Sequence, residues 1–440
     1  MAARARPMAM PSCRAAVTLQ RGVPAVGKNR ACSTLALATW ERAEQAPGIL
    51  NLAIGQPASS LLPLAATQSA ANGLSSYDPR HLLQYGSISG SSHYLTAVAS
   101  FLGAQLAHEP SPNSLFATPG NSGGLSLVTR TLTSPGDRIL IEDPSYFLAH
   151  QIFRDHYLDL IPLAQRSDGR GTLDMDLLKK VLWRSRYLST TTADNPMPKF
   201  LYCVPTGNNP TGRTMGDDDR ARLVELCAEY NVRIVADDVY ELLQYGQADA
   251  PRPLREHAAS LGADATVVSL GSWSKVLGPG LRLGWVEADA DMVSRLAADG
   301  EVDSGSLTSP LVESLVTSML VSGDAARHLD ALRQSLSKRA EMLASSIQQA
   351  QPHGSPPLVS HIADAGYFLW VDLRGLDAEK LRERCLATHG VSFLPGARCA
   401  LDPAAGASHA RVCYAFLEVE ELREAGRRLG RAIVEARTEH

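Results

Sequence analysis

The sequence predicts an α/β fold built on a mainly parallel sheet, and three observations carry that reading. Short apolar runs alternate with helical patterns between residues 115 and 286. Most of those runs empty into loops rich in Gly, Pro and hydroxyl side chains. After about Pro310 the texture changes to long amphipathic helix followed by short strands. Strands alternating with helices pack as a sheet covered on both faces, so the second texture marks a smaller α+β part.

In chain order, residues 48–63 read as a strand entering Gly- and Pro-rich loops. Apolar positions recur at helical spacing over 92–108, and Pro110 and Pro112 stop the pattern. A strand at 115–117 runs into Thr118-Pro119-Gly120-Asn121-Ser122-Gly123-Gly124, and a helical pattern follows over 125–132. Further strands are expected at 138–141, 200–204, 232–236, 266–270 and 282–286, with a helix at 218–230. Residues 311–349 read as long helix broken near Gly323. Strands at 367–373, 391–394 and 411–416 and a charged helix from about Glu418 complete the chain. Residues 189–198 are polar and read as a surface loop. The division expected is an extension over 1–40, an N-terminal arm belonging to the small domain over 41–63, a large domain over 64–309 and a C-terminal small domain over 310–440.

Composition narrows the function classes. The 440 residues are 45% hydrophobic and 20% charged, with a formal net charge of -4, so no nucleic-acid footprint is indicated. No apolar run approaches the length of a membrane span. The seven cysteines form no CxxC, which argues against a disulfide framework and a zinc site, and no metal is expected. Before Glu41 there is no acidic residue, while Arg4, Arg6, Arg14, Arg21, Lys28 and Arg30 lie among small residues. A basic, acid-free stretch of this kind reads as a mitochondrial or plastid transit peptide, the plain alternative being an untargeted extension in an otherwise cytoplasmic protein.

The chemistry concentrates in Gly271-Ser272-Trp273-Ser274-Lys275, continuing to Pro279-Gly280-Leu281-Arg282-Leu283-Gly284-Trp285. A lysine just past a strand end, among hydroxyls and seven residues before an arginine, suits an amine that forms an imine with an aldehyde. The hydroxyls and the guanidinium would bind an attached phosphate. Upstream, Pro205 to Gly212 presents an Asn-Pro-Thr-Gly turn, and Asp237-Asp238-Val239-Tyr240 ends another strand. A buried carboxylate needs a partner, and a protonated pyridine nitrogen is one. Tyr240 can bring a phenol to a ring oxygen. Asp238 is read as a cap or turn former.

Together with Ala410-Arg411-Val412-Cys413-Tyr414, these motifs resemble the class I/II aminotransferases of the fold-type-I pyridoxal-phosphate family, in the aspartate, aromatic and 2-aminoadipate branch. The resemblance runs from about Asn51 to the C-terminal helix. It implies a seven-stranded-type, mainly parallel sheet in the large domain and reversible, ping-pong transfer of an amino group from an L-amino acid to a 2-oxo acid. Lys275 is then the Schiff-base lysine, which moves the proton between the α-carbon and C4′. Asp237 pairs with the pyridinium nitrogen, and Asn209 and Tyr240 hydrogen-bond the phenolic oxygen. Tyr146, in Asp143-Pro144-Ser145-Tyr146, stacks on the ring. Ser272, Ser274 and Arg282 ligate the phosphate, joined by backbone N–H groups of Gly120, Asn121 and Ser122 at a helix start. Arg411 takes the substrate α-carboxylate, with Asn209 and Gly55 also at the substrate. Tyr85 reaches the phosphate of a neighbouring subunit, which implies a homodimer with shared sites.

Three departures from the family pattern stand out. Leu95-Thr96 replaces Leu-Arg, Ala365-Gly366 replaces Gly-Gly, and Ala397-Arg398-Cys399 follows Pro395-Gly396 where a bulky group is usual, on the substrate side of the pocket. None removes a catalytic part. A β-eliminating C–S lyase on the same scaffold would use the same lysine and aspartate. A cofactor-sensing transcriptional regulator would need a winged-helix segment upstream, and a non-catalytic paralogue would not need the lysine, aspartate and arginines kept here.

Overall fold

The computed structural model describes residues 48–106, 108–166, 172–189, 197–245 and 250–439. The extension read as a transit peptide and the centre of the polar loop at 190–196 lie outside them. From residue 47 onward the chain forms one compact unit.

Its centre is a seven-stranded sheet in the order β2-β8-β7-β6-β5-β3-β4. The strands are β2 (Leu115–Thr118), β3 (Arg138–Asp143), β4 (Asp159–Ala164), β5 (Phe200–Cys203), β6 (Arg233–Asp237), β7 (Val267–Ser272) and β8 (Gly284–Glu287). All pairings are parallel except those of β8, which runs antiparallel to both β2 and β7. The five inner strands, β3 and β5 to β8, are buried almost throughout, as strands covered on both faces must be. The edge strand β4 carries Pro162, exposed at the position where a strand tolerates a residue without an N–H.

A second sheet has the order β11-β12-β9, from β9 (Phe368–Asp372), β11 (Leu394–Pro395) and β12 (His409–Cys413), all antiparallel. β10 (Val391–Ser392) stands outside it and pairs in parallel with β1 (Leu50–Asn51). The strand expected over 391–394 is therefore two short strands serving two sheets, hinged at the buried Phe393. The long helical region breaks where the sequence indicated: Pro310–Val321 and Asp324–Gln349 meet at Gly323, whose φ of 77° suits a residue without a Cβ. Asp324–Gln349 packs along the final helix, Val419–Thr438, which Glu418 and Glu421 start with a reciprocal capping box. Among the described residues no helix is long and apolar enough to cross a membrane. The five described cysteines are buried and unpaired.

Candidate active site

The six mutually parallel strands end at one edge of the central sheet, and five of them deliver expected site residues there. β2 leads to Gly120, β3 to Tyr146, β5 to the turn bearing Asn209, and β7 to Lys275, while β6 ends on Asp237 itself. β8 runs the other way, so it starts at this edge, directly after Arg282. In open α/β sheets the carboxyl ends of the strands are where ligands bind.

The turn carrying Lys275 is braced by aromatic packing. Gly271 lies opposite Trp285 in the β7–β8 ladder, and a Cβ at 271 would come within 2.1 Å of the indole. Trp273 is wholly buried, packs on Trp285 and Phe101, and donates its indole N–H to Tyr94 at 2.9 Å. Deleting a side chain packed like this costs about 3–5 kcal/mol, so the turn is anchored by the core. The Lys275 carbonyl accepts from Tyr367 at 2.6 Å. Its amine donates to the Gly55 carbonyl at 2.9 Å. Burial, with Arg411 and Arg282 acting in the same direction, pulls that amine down to about 8.

Asp237 is buried at the end of β6. Its Oδ2 accepts the Tyr202 hydroxyl at 2.7 Å, while Oδ1 is buried without a partner. Burial pushes the carboxyl above the usual range, opposed first by Tyr202, then by Asn121 and the Lys275 charge. Tyr146 belongs to the same site. Burial raises its phenol to about 12, and Asp237, Arg411 and Arg282 all act on it electrostatically. Tyr240 is buried against Tyr367, ring centroids 5.5 Å apart.

Arg411 stands on the middle strand of the small sheet and is 2% exposed. Nη1 donates to Asn209 Oδ1 at 3.0 Å, Nη2 to the Ala53 carbonyl at 2.6 Å, and the guanidinium lies 4.2 Å from the Phe368 ring centre. Gly55 runs past the same ring, where a Cβ would meet Phe368 at 2.8 Å. Arg282 is exposed, with its backbone in the left-handed region at φ 48°. It reaches the Pro119 carbonyl at 3.3 Å, and a Cβ on Gly120 would lie 2.8 Å from its Nη2. Gly120 and Asn121 open the helix Gly120–Leu132, with Ser122 exposed beside them. Ser272 and Ser274 hydrogen-bond each other at 3.0 Å.

The family described as aminotransferase class I and II matches residues 47–429. A 2-aminoadipate transaminase of Thermus thermophilus is 30% identical over 390 residues, covering 88% of this chain and 91% of its own. The mitochondrial kynurenine/α-aminoadipate aminotransferase of Bos taurus is 27% identical, covering 94% and 99%. Among solved structures, the Pyrococcus horikoshii kynurenine aminotransferase in complex with PMP superposes with a TM-score of 0.80 at 25% identity, covering 93% and 96%. The α-aminoadipate aminotransferase of Thermus thermophilus, complexed with N-(5′-phosphopyridoxyl)-L-leucine, does so at 0.76 and 29%, covering 93% and 100%. This chain is a class I/II aminotransferase. It has the fold-type-I architecture, moves amino groups between amino and 2-oxo acids, and its cofactor is pyridoxal phosphate.

The residues of the aminotransferase fit that cofactor. Among the described residues, the buried polar atoms without a partner include Asp237 Oδ1, Asn121 Oδ1 and Arg411 Nε at this site, which is costly unless a ligand supplies one. The bare Cα of Gly120 beside Arg282 leaves room for a phosphate at a helix start. Lys275, Asp237, Asn209, Tyr146, Arg282, Arg411 and Gly55 are joined to one another by contacts or by electrostatic influence. Tyr85 is not drawn into that set: it is 83% exposed and lies against Gly305.

Several partners escape a reading of motifs. Tyr202 is a strand residue 35 positions from Asp237. Arg220, wholly buried, donates to the carbonyls of Pro205 and Met215 and to Thr206 Oγ1, clamping the loop that bears Asn209. Glu142 accepts the Val204 N–H at the base of that loop, and burial pushes its carboxyl up to about 7. Asp238 is more than a turn former: it is buried and accepts from Ser269 at 2.6 Å. Arg398, expected with Cys399 to bear on the substrate side, pairs with Glu379 at 2.8 Å, while the Cys399 carbonyl accepts from Ser145 at 2.9 Å.

Proposed function

We propose that Lys275 is the amine that binds the cofactor and moves the substrate's proton, that Asp237 pairs with the ring nitrogen, and that Arg411 receives the α-carboxylate. The observation that carries this is the pair of carbonyls, Gly55 and Ala53, holding the Lys275 amine and the Arg411 guanidinium two residues apart on one segment. Bound pyridoxal phosphate supplies the electrophilic carbon and the electron sink. Lys275, with its amine drawn down to about 8, is a free base often enough near neutrality to accept a proton from the α-carbon side. Arg411, already buried and stacked, offers a desolvated two-pronged donor for a carboxylate. Asn209 orients that guanidinium through its Oδ1, leaving its amide N–H groups for the ring oxygen together with Tyr240. Tyr146 flanks the ring. Ser272, Ser274, Arg282 and the helix start at Gly120, Asn121 and Ser122 hold the phosphate.

The same reading covers the assembly and the address. Tyr85 is exposed, as are Leu64, Tyr77 and Leu83 in the same stretch of sequence, which supports the reading that a second copy of the chain covers them and that the enzyme is a homodimer with shared sites. The parts over 64–309 and 310–440 are proposed as large and small domains. The basic, acid-free residues 1–40 and the mitochondrial relatives support a mitochondrial location. Aromatic, branched or 2-aminoadipate-like donors are the proposed substrate range, with 2-oxoglutarate or pyruvate as acceptor.

The test is a set of single half-reactions. Cofactor-loaded protein is mixed with a panel of L-amino acids while the cofactor's absorbance and the 2-oxo acid product are followed. Wild type should convert stoichiometrically with several donors, and Lys275→Ala should be slower by at least about a thousandfold. Equal rates in the two would remove Lys275 from the mechanism. Pyruvate and ammonia released from a β-substituted amino acid, with the cofactor spectrum unchanged, would mark a lyase.

A further inference from the structure

Tyr202 lies on β5 with its side chain wholly buried. Its ring packs edge-on against Phe153, centroids 5.2 Å apart. At the far end of the ring the hydroxyl donates to Asp237 Oδ2 at 2.7 Å. β5 and β6 are parallel neighbours with Cys203 in register with Ala236, so one strand hands a donor to the carboxylate that ends the other. Of that carboxylate's two oxygens, Oδ2 is thus taken and Oδ1 is buried and unpartnered.

We infer that Tyr202 is a positioning residue, fixing one oxygen of Asp237 so that the other is aimed at the cofactor's ring nitrogen. The inference rests on the reading of Asp237 given above. An aspartate side chain has a broad, roughly two-fold final torsion, and a single hydrogen bond to the charged form selects one setting of it. This donor is permanent: burial and the neighbouring Asp237 charge keep the Tyr202 phenol protonated far above the ordinary range. The same bond leads the contacts that counter the burial of Asp237, favouring the charged carboxylate that a pyridinium pairs with. Packing alone does not account for the residue, since a phenylalanine ring would fill the space against Phe153 equally well.

The experiment uses the full chain carrying Tyr202→Phe, loaded with pyridoxal phosphate. By absorbance titration its cofactor dissociation constant should rise about 10-fold, the loss expected of one hydrogen bond to a charged group. The half-reaction kcat should fall by a similar factor, with KM for the amino acid within about twofold of wild type. Added to Asp237→Ala, the substitution should change neither quantity, because its effect passes through that carboxylate. Wild-type affinity and kcat in Tyr202→Phe overturn the inference and leave the role of Asp237 standing. An Asp237→Ala protein that binds cofactor and turns over like wild type overturns both. Should Tyr202→Phe not fold, Tyr202→His and Tyr202→Leu are compared. Tighter cofactor binding by the histidine variant, which keeps a ring donor, supports the inference, and equal binding overturns it.

Discussion

Arg411 and Arg282 are prepared for their ligands in different ways. Arg411 is buried on the middle strand of the small sheet, with two of its nitrogens engaged by Asn209 and Ala53 and its face on Phe368. Arg282 is exposed on a loop, its backbone left-handed, its guanidinium donating to the Pro279 and Pro119 carbonyls at 3.3 Å. The desolvation of Arg411 is already complete in the folded protein, so a carboxylate meets a strong, fixed donor. Arg282 keeps its water, and a phosphate there gains a screened contact. Tight recognition is thus concentrated where the substrate changes each turnover, while the phosphate is shared among hydroxyls, a helix start and one solvated arginine.

That contrast can be broken by substitution. Arg411→Lys removes the two-pronged donor from a buried place, and kcat/KM for any amino donor should fall about 100-fold with cofactor affinity unchanged. Comparable losses in cofactor affinity would show that Arg411 is not specific to the substrate. Arg282→Gln should weaken cofactor binding about 10-fold, measured by equilibrium dialysis, and leave KM for the donor nearly unaltered. A larger loss than that of Arg411→Lys would reverse the ranking of the two regions.

A third expectation concerns pH. The Lys275 amine is drawn from its ordinary value down to about 8, so below that it carries a proton and cannot attack an aldehyde. Capture of pyridoxal phosphate by cofactor-free protein should therefore accelerate as pH rises, up to about tenfold per unit below 8, and level off above it. Because the folded value lies below the unfolded one, the unfolded chain binds the extra proton between the two. This group's contribution to stability consequently rises with pH across that interval. A capture rate still climbing steeply above pH 9 would show an amine less buried than the structure has it.

How much of this the sequence disclosed depends on how local each feature is. Lys275, Asp237 and Asn209 sit in short contiguous motifs at strand ends, where Gly, Pro and hydroxyl residues make a pattern that stands apart from core. Tyr202 does not, because a tyrosine inside an apolar run reads as packing and its partner lies on another strand. Arg220 likewise reads as a solvated helix residue until the fold turns it onto the Pro205–Met215 loop. The strand expected from Arg282 begins instead at Gly284, since Arg282 takes a left-handed turn to reach Pro119. β4 does not stand out in the sequence: Pro162 interrupts the run, and its residues are mostly exposed or half-buried on an edge strand that pairs with β3.

Ala53 and Gly55 have a consequence that concerns measurement of length. Two residues of chain span at most about 7 Å, so the carbonyls that hold the amine of Lys275 and the guanidinium of Arg411 form a short fixed gauge. Every α-amino acid carries its nitrogen and its carboxylate on one carbon. A gauge of that size fits the portion all such molecules share and takes no measure of the side chain. Discrimination among donors is thereby left to other walls of the cavity, which can diverge between relatives while the gauge stays the same.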